Sequence, residues 1–335
     1  MQEPSGELDY SLVICTFNPE ERILKRCLQA VSLLDRNLLT TEVILVDNNS
    51  RSPISEEPYI KAFEDSIPSM KIIHVEQPGV KYARMAAIRE SRGRYIVYID
   101  TDNEPQQDYL QQLKILNKNY PDVAAWGPGD VTVDFLDGVD KKLEFFARRA
   151  FQEKHKKSLA FDNRKHWQDS YPVGTGLCTF GFVLKDYVTE AESGRFSLPG
   201  RKGESLSSGE DTQMILLAIS KGYSAGSSPT LKLQHLIPSS RANASYLKKL
   251  IFGTASCYQT CLLEVFPEME NMIKNQMMDS PTFTRRAWKK LLLAGYINNK
   301  FQFIEWLGLN AGYYYALNIP LPSFIQRLIK YLRVL

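Results

Sequence analysis

The fold is decided by the stretch Arg94-Tyr95-Ile96-Val97-Tyr98-Ile99-Asp100-Thr101-Asp102-Asn103. Its unbroken run of apolar and aromatic residues is typical of a strand buried on both faces of a mostly parallel sheet. Two carboxylates one residue apart follow, at the point where open α/β sheets bind their ligands. Carboxylate oxygens suit Mg²⁺ or Mn²⁺ carrying substrate phosphates. The stretch therefore predicts a buried strand that ends at a metal site, with a turn capped by aspartates as the alternative.

Length and composition describe an ordinary globular chain. Its 335 residues, 44% hydrophobic and 24% charged, are enough for one large domain or two smaller ones. No apolar run has the roughly 18 residues needed to span a bilayer, and the polar first residues lack the pattern of a signal peptide. The five cysteines form no Cys-x-x-Cys pair, which favours free thiols in a reducing compartment. We therefore expect a cytoplasmic protein.

Strands and helices alternate over the first hundred residues. Apolar runs predict strands at residues 11–15, 41–46, 71–75 and 95–99, and helical spacing predicts helices at residues 23–31 and 81–90. This alternation indicates an α/β fold with a mostly parallel central sheet flanked by helices. Three of the strands end in polar residues: Thr16 and Asn18, Asp47, and the pair Asp100 and Asp102. Right-handed crossovers would bring these three ends to one edge of the sheet.

The sequence contains no glycine-rich loop for phosphate. Neither Gly-x-Gly-x-x-Gly after the first strand nor Gly-x-x-x-x-Gly-Lys-Ser/Thr occurs. A bound diphosphate therefore needs another positive partner, which a metal ion held by Asp102 would supply. The small residues at 171–181, including Gly174, allow the backbone to approach a ligand closely. A glycine-containing strand and turn in the sheet is the alternative for that segment.

The middle of the chain is less regular. Residues 145–157 predict an amphipathic helix with a basic end. Residues 194–209 combine four glycines with three basic residues, which is typical of a mobile loop that closes over phosphates or of a solvated loop without a role.

Glu210 and Asp211 open a predicted helix over residues 213–221. Acidic residues in a first turn are ordinarily explained by the helix dipole, and one that faces a cleft can also be a general base. His235 follows a predicted strand at residues 231–233 and precedes a proline-bounded loop, so we expect it to reach the cleft. The other three histidines are assigned structural or surface roles.

The tail of the chain, from about residue 243, is predominantly helical by its pattern, and from residue 283 it carries eight basic residues against Glu305 alone. Residues 323–335 place an apolar stripe opposite basic residues. Such a helix suits the surface of an anionic membrane. A helix packed on the catalytic domain with a solvated basic face is the alternative.

Five motifs in order resemble those of the family 2 glycosyltransferases: Leu12-Val13-Ile14-Cys15-Thr16-Phe17-Asn18, Ile44-Leu45-Val46-Asp47-Asn48-Asn49-Ser50, Gly79-Val80-Lys81-Tyr82-Ala83-Arg84, Ile99-Asp100-Thr101-Asp102 and Gly209-Glu210-Asp211-Thr212. This family has the GT-A fold, uses nucleotide-sugar donors and inverts the anomeric centre. The resemblance implies a polar tail at residues 1–9, a GT-A catalytic domain at residues 10–242 and a helical, basic region at residues 243–335.

The resemblance also implies a role for each matching residue. Asp211 would be the catalytic base. The nucleotide would be bound by Thr16, Phe17, Asn18, Asp47, Arg84, Asp100 and Thr101. An Mn²⁺ or Mg²⁺ cofactor would be held by Asp102 and His235. Contacts to the diphosphate or the acceptor would come from Gly174, Glu210 and Arg241.

The activity implied is sugar transfer from a nucleotide sugar, with UDP the most frequent carrier in the family, to a hydroxyl of a glycan or lipid-linked acceptor in cell-surface polysaccharide synthesis. Nucleic acid is not an expected partner. The cytoplasm, with contact at the inner face of the cell membrane, is the expected location.

Two other functions fit part of the pattern. In a phosphotransferase of the haloacid dehalogenase type, Asp100 would be the nucleophile and Asp102 the acid/base. That class places its motif on the first strand, however, and expects Thr or Val where this chain has Glu104. A nucleotide-sugar-binding module without activity is the second alternative, against which the presence of both Asp102 and Asp211 argues.

Overall fold

The computed structural model of the chain describes residues 7–67, 69–198, 200, 206, 208–293 and 297–335, except for the side chains of residues 297–299. Within the described residues the strands are β1 (Leu8–Thr16), β2 (Thr41–Asp47), β3 (Met70–His74), β4 (Gly93–Tyr98), β5 (Asn103–Pro105), β6 (Val123–Phe135), β7 (Lys154–His155), β8 (Ala160–Asp162), β9 (Cys178–Phe180) and β10 (Ser224–Ile237). The α-helices are α1 (Glu21–Ser32), α2 (Pro58–Ser66), α3 (Val80–Glu90), α4 (Tyr109–Asn119), α5 (Lys141–Ala150), α6 (Gly181–Glu192), α7 (Glu210–Ser220), α8 (Ala244–Val265), α9 (Glu270–Gln276), α10 (Ser280–Leu293), α11 (Ile297–Ala316) and α12 (Ser323–Leu332).

The chain divides into two compact units. The first unit comprises Met1–Asp134, Gln152–Arg195 and Met214–Leu236. The second unit comprises Phe135–Phe151, Phe196–Gln213 and Ile237–Leu335. The chain passes into the second unit for the last time at residue 237, and the domain boundary expected at residue 242 stays a prediction. Two earlier segments also belong to the second unit. Seven of the sixteen residues of the predicted basic loop, namely residues 199, 201–205 and 207, lie outside the described residues.

The first unit is built on a mixed sheet with the strand order β3-β2-β1-β4-β9-β6-β10-β5. Strands β3, β2, β1 and β4 are parallel to one another. Val13 of β1 is in register with Ile44 on one side and with Tyr98 on the other. Strands β1 and β2 are buried along most of their length, as expected for strands of a parallel sheet that helices cover on both faces. The strands predicted in this part of the chain are confirmed.

The other part of the sheet contains antiparallel pairs. Strand β9 pairs with β4 and with β6, and β5 pairs with β10. The segment at residues 171–181 is a turn followed by β9, which is the second of its two predicted forms. Strand β10 has 14 residues, so His235 lies inside a strand and does not follow one as predicted.

The helix predicted over residues 145–157 is wrong in its bounds. Helix α5 begins earlier, where the Asp140 side chain accepts a hydrogen bond from the backbone N–H of Lys142. It ends at Ala150, and Gln152 then takes a positive φ of 68°. The basic end of the segment forms β7, in which Lys154 pairs with Val131 of β6. Strand pairing to β6, invisible in a local pattern, decided the conformation of these residues.

The amino-terminal ends of β1, β2 and β4 are joined by a buried carboxylate. Glu42, only 1% exposed, accepts hydrogen bonds from Ser11 Oγ at 2.6 Å and from the backbone N–H of Arg92 at 2.7 Å. Gly93 permits this close approach, because a Cβ there would lie 2.4 Å from the backbone nitrogen of Ser11. Burial alone would raise the pKa of Glu42. The hydrogen bonds and the charges of Lys71 and Arg92 outweigh burial and hold that pKa below its usual value.

The second unit is mainly helical, as predicted for the tail. Helices α8 and α11 pack closely because glycines face the contact. A Cβ at Gly308 would lie 2.9 Å from the carbonyl oxygen of Phe252, and a Cβ at Gly312 would lie 2.8 Å from that of Ser256. Around this contact is a hydrophobic cluster with contributions from α8, α10, α11 and α12.

Helix α12 turns its apolar side into that cluster. Ile325, Leu328, Ile329 and Leu332 are all buried there. The stripe predicted for a membrane surface is therefore covered by protein, and any membrane contact of α12 has to use its other residues. In the part of the chain that the structure describes, no helix is both long and apolar enough to cross a membrane.

Candidate active site

Three polar strand ends meet at one edge of the sheet in the first unit, as the sequence predicted. Thr16 of β1 is in register with Asp47 of β2. On the other side of β1, the backbone N–H of Ile99 donates to the carbonyl of Val13 at 3.0 Å, which brings Asp100 beside the end of β1. We call this edge the polar strand edge. The parallel pairing of three strands is what gathers these residues.

The Thr16–Asn18 turn combines three features of a ligand site. The hydroxyl oxygen of Thr16 is buried and has no hydrogen-bond partner among the described residues. The ring of Phe17 is 58% exposed and free to stack on a planar ligand. Asn18 adopts a positive φ of 44°, and its side-chain oxygen accepts a hydrogen bond from the backbone N–H of Arg51 at 2.9 Å. An exposed ring beside a buried, unpartnered hydroxyl fits a base and a ribose.

Asp47 organises the loop that follows β2. Its carboxylate accepts hydrogen bonds from the backbone N–H groups of Ser50 at 3.0 Å and Ile54 at 3.2 Å. It is also only 2% exposed. These bonds give Asp47 a structural role, and its contact with a nucleotide base stays a prediction. The neighbouring Asn48 was given no role from the sequence, yet it accepts a hydrogen bond from the backbone N–H of Gly79 at 2.8 Å and so fixes the start of α3.

Helix α3 brings Arg84 to the polar strand edge. The guanidinium is buried, lies 5.0 Å from the centre of the Tyr98 ring and reaches the Asp100 carboxylate at 3.4 Å. A planar cation stacked on an aromatic ring is held in one orientation. The side chain of Asp100 is 41% exposed, so the pair borders solvent. Arg84 and Asp100 are therefore brought together, and Thr101 follows them in the turn.

The second predicted carboxylate, Asp102, is in contact with His235. One Asp102 oxygen lies 3.3 Å from Nε2 of His235, and the other accepts a hydrogen bond from the Asn103 side chain at 3.0 Å. The backbone also aligns them. Asn103 of β5 is in register with His235 of β10, and the N–H of Leu236 donates to the carbonyl of Asp102 at 2.7 Å. Two residues predicted as metal ligands are thus adjacent.

The donor set of Asp102 and His235 fits a divalent cation. A carboxylate oxygen and an imidazole nitrogen in contact are two ligands of the type that Mn²⁺ accepts. No group of three or more His, Cys, Asp or Glu side chains suited to a metal occurs among the described residues. Ions that carry phosphates usually take only one or two protein ligands and complete their shell with phosphate and water. The pair is therefore sufficient for a metal that binds together with a diphosphate.

Two residues of α1 support this edge and were not found by sequence reasoning. The thiol of Cys27 donates to the carbonyl of Asp100 at 3.5 Å, and its burial, with Asp102 and Asp100 nearby, raises its pKa well above the usual value. Arg26 binds both carboxylate oxygens of Glu104, each at 2.7 Å. A cysteine at a helical core position and a half-buried arginine carry no local signal for such roles.

Gly174 and its neighbours form a turn held by internal packing. Gly176 has a positive φ of 68°, and a Cβ there would lie 2.7 Å from the hydroxyl of Tyr109. That hydroxyl donates to the Gly176 carbonyl at 2.6 Å, while the Gly174 carbonyl accepts a hydrogen bond from Leu177 at 3.3 Å. The small residues at this turn are therefore explained by packing, and a ligand contact at Gly174 stays a prediction.

The remaining predicted residues lie in the second unit. Glu210 and Asp211 form the first turn of α7, as the sequence predicted. Glu210 is buried and accepts a hydrogen bond from the backbone N–H of Gly209 at 3.1 Å. Asp211 is half-buried and accepts one from Thr212 at 2.9 Å. Arg241 follows β10 in a turn, with its N–H bonded to the carbonyl of Pro238 at 3.0 Å.

Comparison with known proteins identifies the family. The model of glycosyl transferase family 2 matches residues 11–178, half of the chain, and this range contains the whole polar strand edge except His235. The chain belongs to glycosyl transferase family 2. The resemblance drawn from the five motifs is confirmed, as is the GT-A fold class, and the haloacid dehalogenase alternative is wrong.

Two curated relatives of this family 2 chain match over short segments. One is EpsH of Bacillus subtilis (strain 168), to which a glycosyltransferase activity is ascribed. It is 32% identical over 105 residues, 31% of this chain and 28% of EpsH. The other is the glycosyltransferase AglE of Haloferax volcanii, 32% identical over 103 residues, 30% of this chain and 33% of AglE. The matched segments thus span about a third or less of each relative.

Solved structures similar to the chain include crystal structures of TarS from S. aureus. TarS 1–349 is 12% identical with a TM-score of 0.48, and the match covers 93% of this chain and 92% of that one. TarS 1–349 in complex with UDP-GlcNAc is 14% identical with a TM-score of 0.46, covering 88% of this chain and 73% of that one. The family assignment rests on the sequence match.

Proposed function

We propose that this protein is a metal-dependent inverting glycosyltransferase that uses a nucleotide-sugar donor, with UDP the favoured carrier. The observation that carries the proposal is the contact between Asp102 and His235 at 3.3 Å, beside three polar strand ends in a chain of glycosyl transferase family 2. A diphosphate donor needs a positive partner, and this chain has no glycine-rich loop that could bind phosphate. A metal ion held by two side chains beside the Thr16–Asn18 turn would supply that charge.

The donor would be held by residues of the polar strand edge. The Phe17 ring would stack on the base, and the unpartnered Thr16 hydroxyl would bind base or ribose. Arg84, fixed on the Tyr98 ring, would bring its positive charge to the nucleotide. Asp102 and His235 would hold Mn²⁺ or Mg²⁺. Such a bound ion supplies positive charge that stabilises the departing diphosphate.

The transfer itself needs one carboxylate as a base. In an inverting reaction the acceptor oxygen forms a bond to the anomeric carbon while the bond from that carbon to the diphosphate oxygen breaks. The acceptor hydroxyl must lose its proton in the same step. We assign proton acceptance to Asp211, on the resemblance of residues 209–212 to the family motif. General base catalysis of this kind contributes roughly 10²- to 10⁴-fold to the rate.

The acceptor in this proposal is a hydroxyl of a glycan or lipid-linked glycan, in cell-surface polysaccharide synthesis. A lipid-linked acceptor would bring the protein to the inner face of the cell membrane. The exposed basic residues of α12 and the net basic character of the tail support such a contact, since anionic lipids attract basic segments.

The test begins with the unknown donor. A panel of nucleotide sugars with Mn²⁺, followed by thermal shift, identifies the donor that stabilises the protein most. Slow release of the nucleoside diphosphate from that donor without acceptor then measures activity. We expect Asp211→Asn to lower this turnover by at least about 100-fold while the donor affinity stays nearly unchanged.

Asp186→Asn on α6 is the matched control, because it removes another helical carboxylate and breaks only a surface ion pair with Lys221. Wild-type turnover in Asp211→Asn would refute the assignment of the base. Tight donor binding by the wild-type protein with no turnover of any donor would instead favour the non-catalytic module.

A further inference from the structure

The second unit contains a cavity of about 620 Å³, and five of its seven lining residues are cations. It is formed by α8, α11, α12 and the residue that follows α12. We call it the basic pocket, and its charged lining consists of Lys248, Lys300, Arg327, Lys330 and Arg333. Tyr331, which is 77% exposed, and Leu332 complete the lining. Its volume lies within the usual range for small-molecule sites.

The cations of the basic pocket have no acidic side chain as a partner in the part of the chain that the structure describes. Helix α12 contains no acidic residue, and the single one in α11, Glu305, is bonded to Arg149 at 2.7 Å. Surface cations in proteins are usually interspersed with acidic residues, so a cavity with one sign of charge calls for an explanation.

The helix dipole explains only part of this charge. Helix α12 ends at Leu332, and the ammonium of Lys248 already donates to the Leu332 carbonyl at 3.0 Å. A helix carboxyl end is equivalent to about half of one negative charge, which a single lysine satisfies. Four further cations line the same cavity. Their number exceeds what capping of one helix requires.

The cations also act on one another. Burial lowers the pKa of Lys248, and the charges of Lys300 and Arg333 lower it further. An anion placed between like charges would reduce this repulsion. A compact group with several negative charges would therefore be stabilised by all five cations.

We propose that the basic pocket binds a phosphate-bearing anion. Arginine and lysine both attract phosphate oxygens, and five of them around one cavity add their positive charges. Arg327, Lys330 and Arg333 come from one helix end, whereas Lys248 and Lys300 come from two other helices, so the anion is contacted from several sides. The phosphate belongs either to a soluble diphosphate or to a lipid headgroup. This inference does not depend on the proposed activity.

The test uses the full chain and two kinds of probe. The soluble probe is inorganic pyrophosphate, titrated by calorimetry at constant ionic strength with EDTA present, so that the proposed metal-dependent donor site does not contribute. The membrane probe is a set of phosphatidylcholine vesicles with and without phosphatidylglycerol, scored by co-sedimentation. Each probe is measured with the wild-type protein and with charge variants.

The pocket variant is Arg327→Glu with Lys330→Glu, two exposed positions of α12. The matched control is Arg286→Glu with Lys289→Glu, two exposed positions of α10 outside the cavity with the same change of net charge. We expect the pocket variant to lose at least about 100-fold in affinity and the control to lose little. The neutral pair Arg327→Gln with Lys330→Gln repeats the test without charge reversal, and circular dichroism checks that each variant is folded.

Each outcome decides the inference. Pyrophosphate binding that only the pocket variants lose identifies a soluble phosphate as the ligand. Sedimentation with phosphatidylglycerol vesicles alone, lost in the same variants, identifies a lipid headgroup. The inference is overturned when the wild-type protein binds neither probe. It is also overturned when pocket and control variants lose equally, because general surface charge then accounts for the binding.

Discussion

The polar strand edge and the basic pocket hold their charged residues in opposite ways. At the polar strand edge charges have partners, as in the contacts of Arg84 with Asp100 and of Asp102 with His235. In the basic pocket five cations share one cavity without an acidic partner among the described residues. Paired groups are fixed in orientation, so we expect ligand binding at the polar strand edge to depend on their geometry. The unpaired cations act through their summed charge, so we expect ligand binding in the basic pocket to depend on their number. Three predictions test this difference.

The largest effect is expected at Asp102. Asp102→Asn keeps the size of the side chain and its bond to Asn103 but removes the charge that faces His235. If the pair holds a metal beside the diphosphate, loss of that contribution lowers kcat/KM by at least about 100-fold. The fall in kcat/KM is measured from the turnover of the identified donor at several Mn²⁺ concentrations. Asp108→Asn, at an exposed position before α4, is the control. Unchanged Mn²⁺-dependent affinity in Asp102→Asn would exclude a metal role for the pair.

A smaller effect is expected when the same substitution is made in both regions. Arg84→Lys removes the guanidinium that lies over the Tyr98 ring, and we expect donor affinity to fall roughly tenfold. Arg327→Lys in the basic pocket keeps the charge, and we expect pyrophosphate or vesicle binding to change by less than about twofold. Calorimetry and co-sedimentation provide the two values. Equal losses in both regions would contradict the distinction between geometry and summed charge.

The smallest effect concerns stability and the buried Glu42. Its pKa is held below the usual value of 4.5, so its carboxylate stabilises the fold above that pH, and the contribution is lost as pH falls through the lower, folded-state pKa. Glu42→Gln should therefore reduce the free energy of unfolding by about 1 kcal/mol at pH 7. The difference in free energy of unfolding between Glu42→Gln and the wild type should become smaller in acid. Urea unfolding at both pH values measures it, and a gap that does not change with pH would show that the partnered carboxylate is not the cause.

The parallel half of the sheet could be predicted from the sequence because each strand carries its own signal. The apolar runs that end at Cys15, Val46 and Ile99 are long enough to mark strands and are followed directly by polar residues. Parallel pairing then gathers these ends without further information. The local pattern failed where pairing to a distant strand decides the conformation, as at Lys154, which looked helical and joins β6.

The sequence identified residues of the site but not which of them are in contact. Asp102 and His235 were both singled out, yet only the pairing of β5 with β10 makes them neighbours. The supporting role of Cys27 was missed because a buried helical cysteine has the same local pattern as any core residue. The basic pocket was missed for a different reason. Lys248, Lys300 and the end of α12 are far apart in sequence, and their convergence depends on helix packing.

The short ladder between β5 and β10 has a consequence for how this protein can change over evolution. Because side chains alternate between the two faces of a strand, a shift of one residue in this ladder would turn the imidazole of His235 to the other side of the sheet. The alignment depends on main-chain hydrogen bonds, such as the one from Leu236 to Asp102. Most amino acids can form such bonds, whatever their side chain. Position 234 can therefore change in distant descendants while the carboxylate and the imidazole stay in contact.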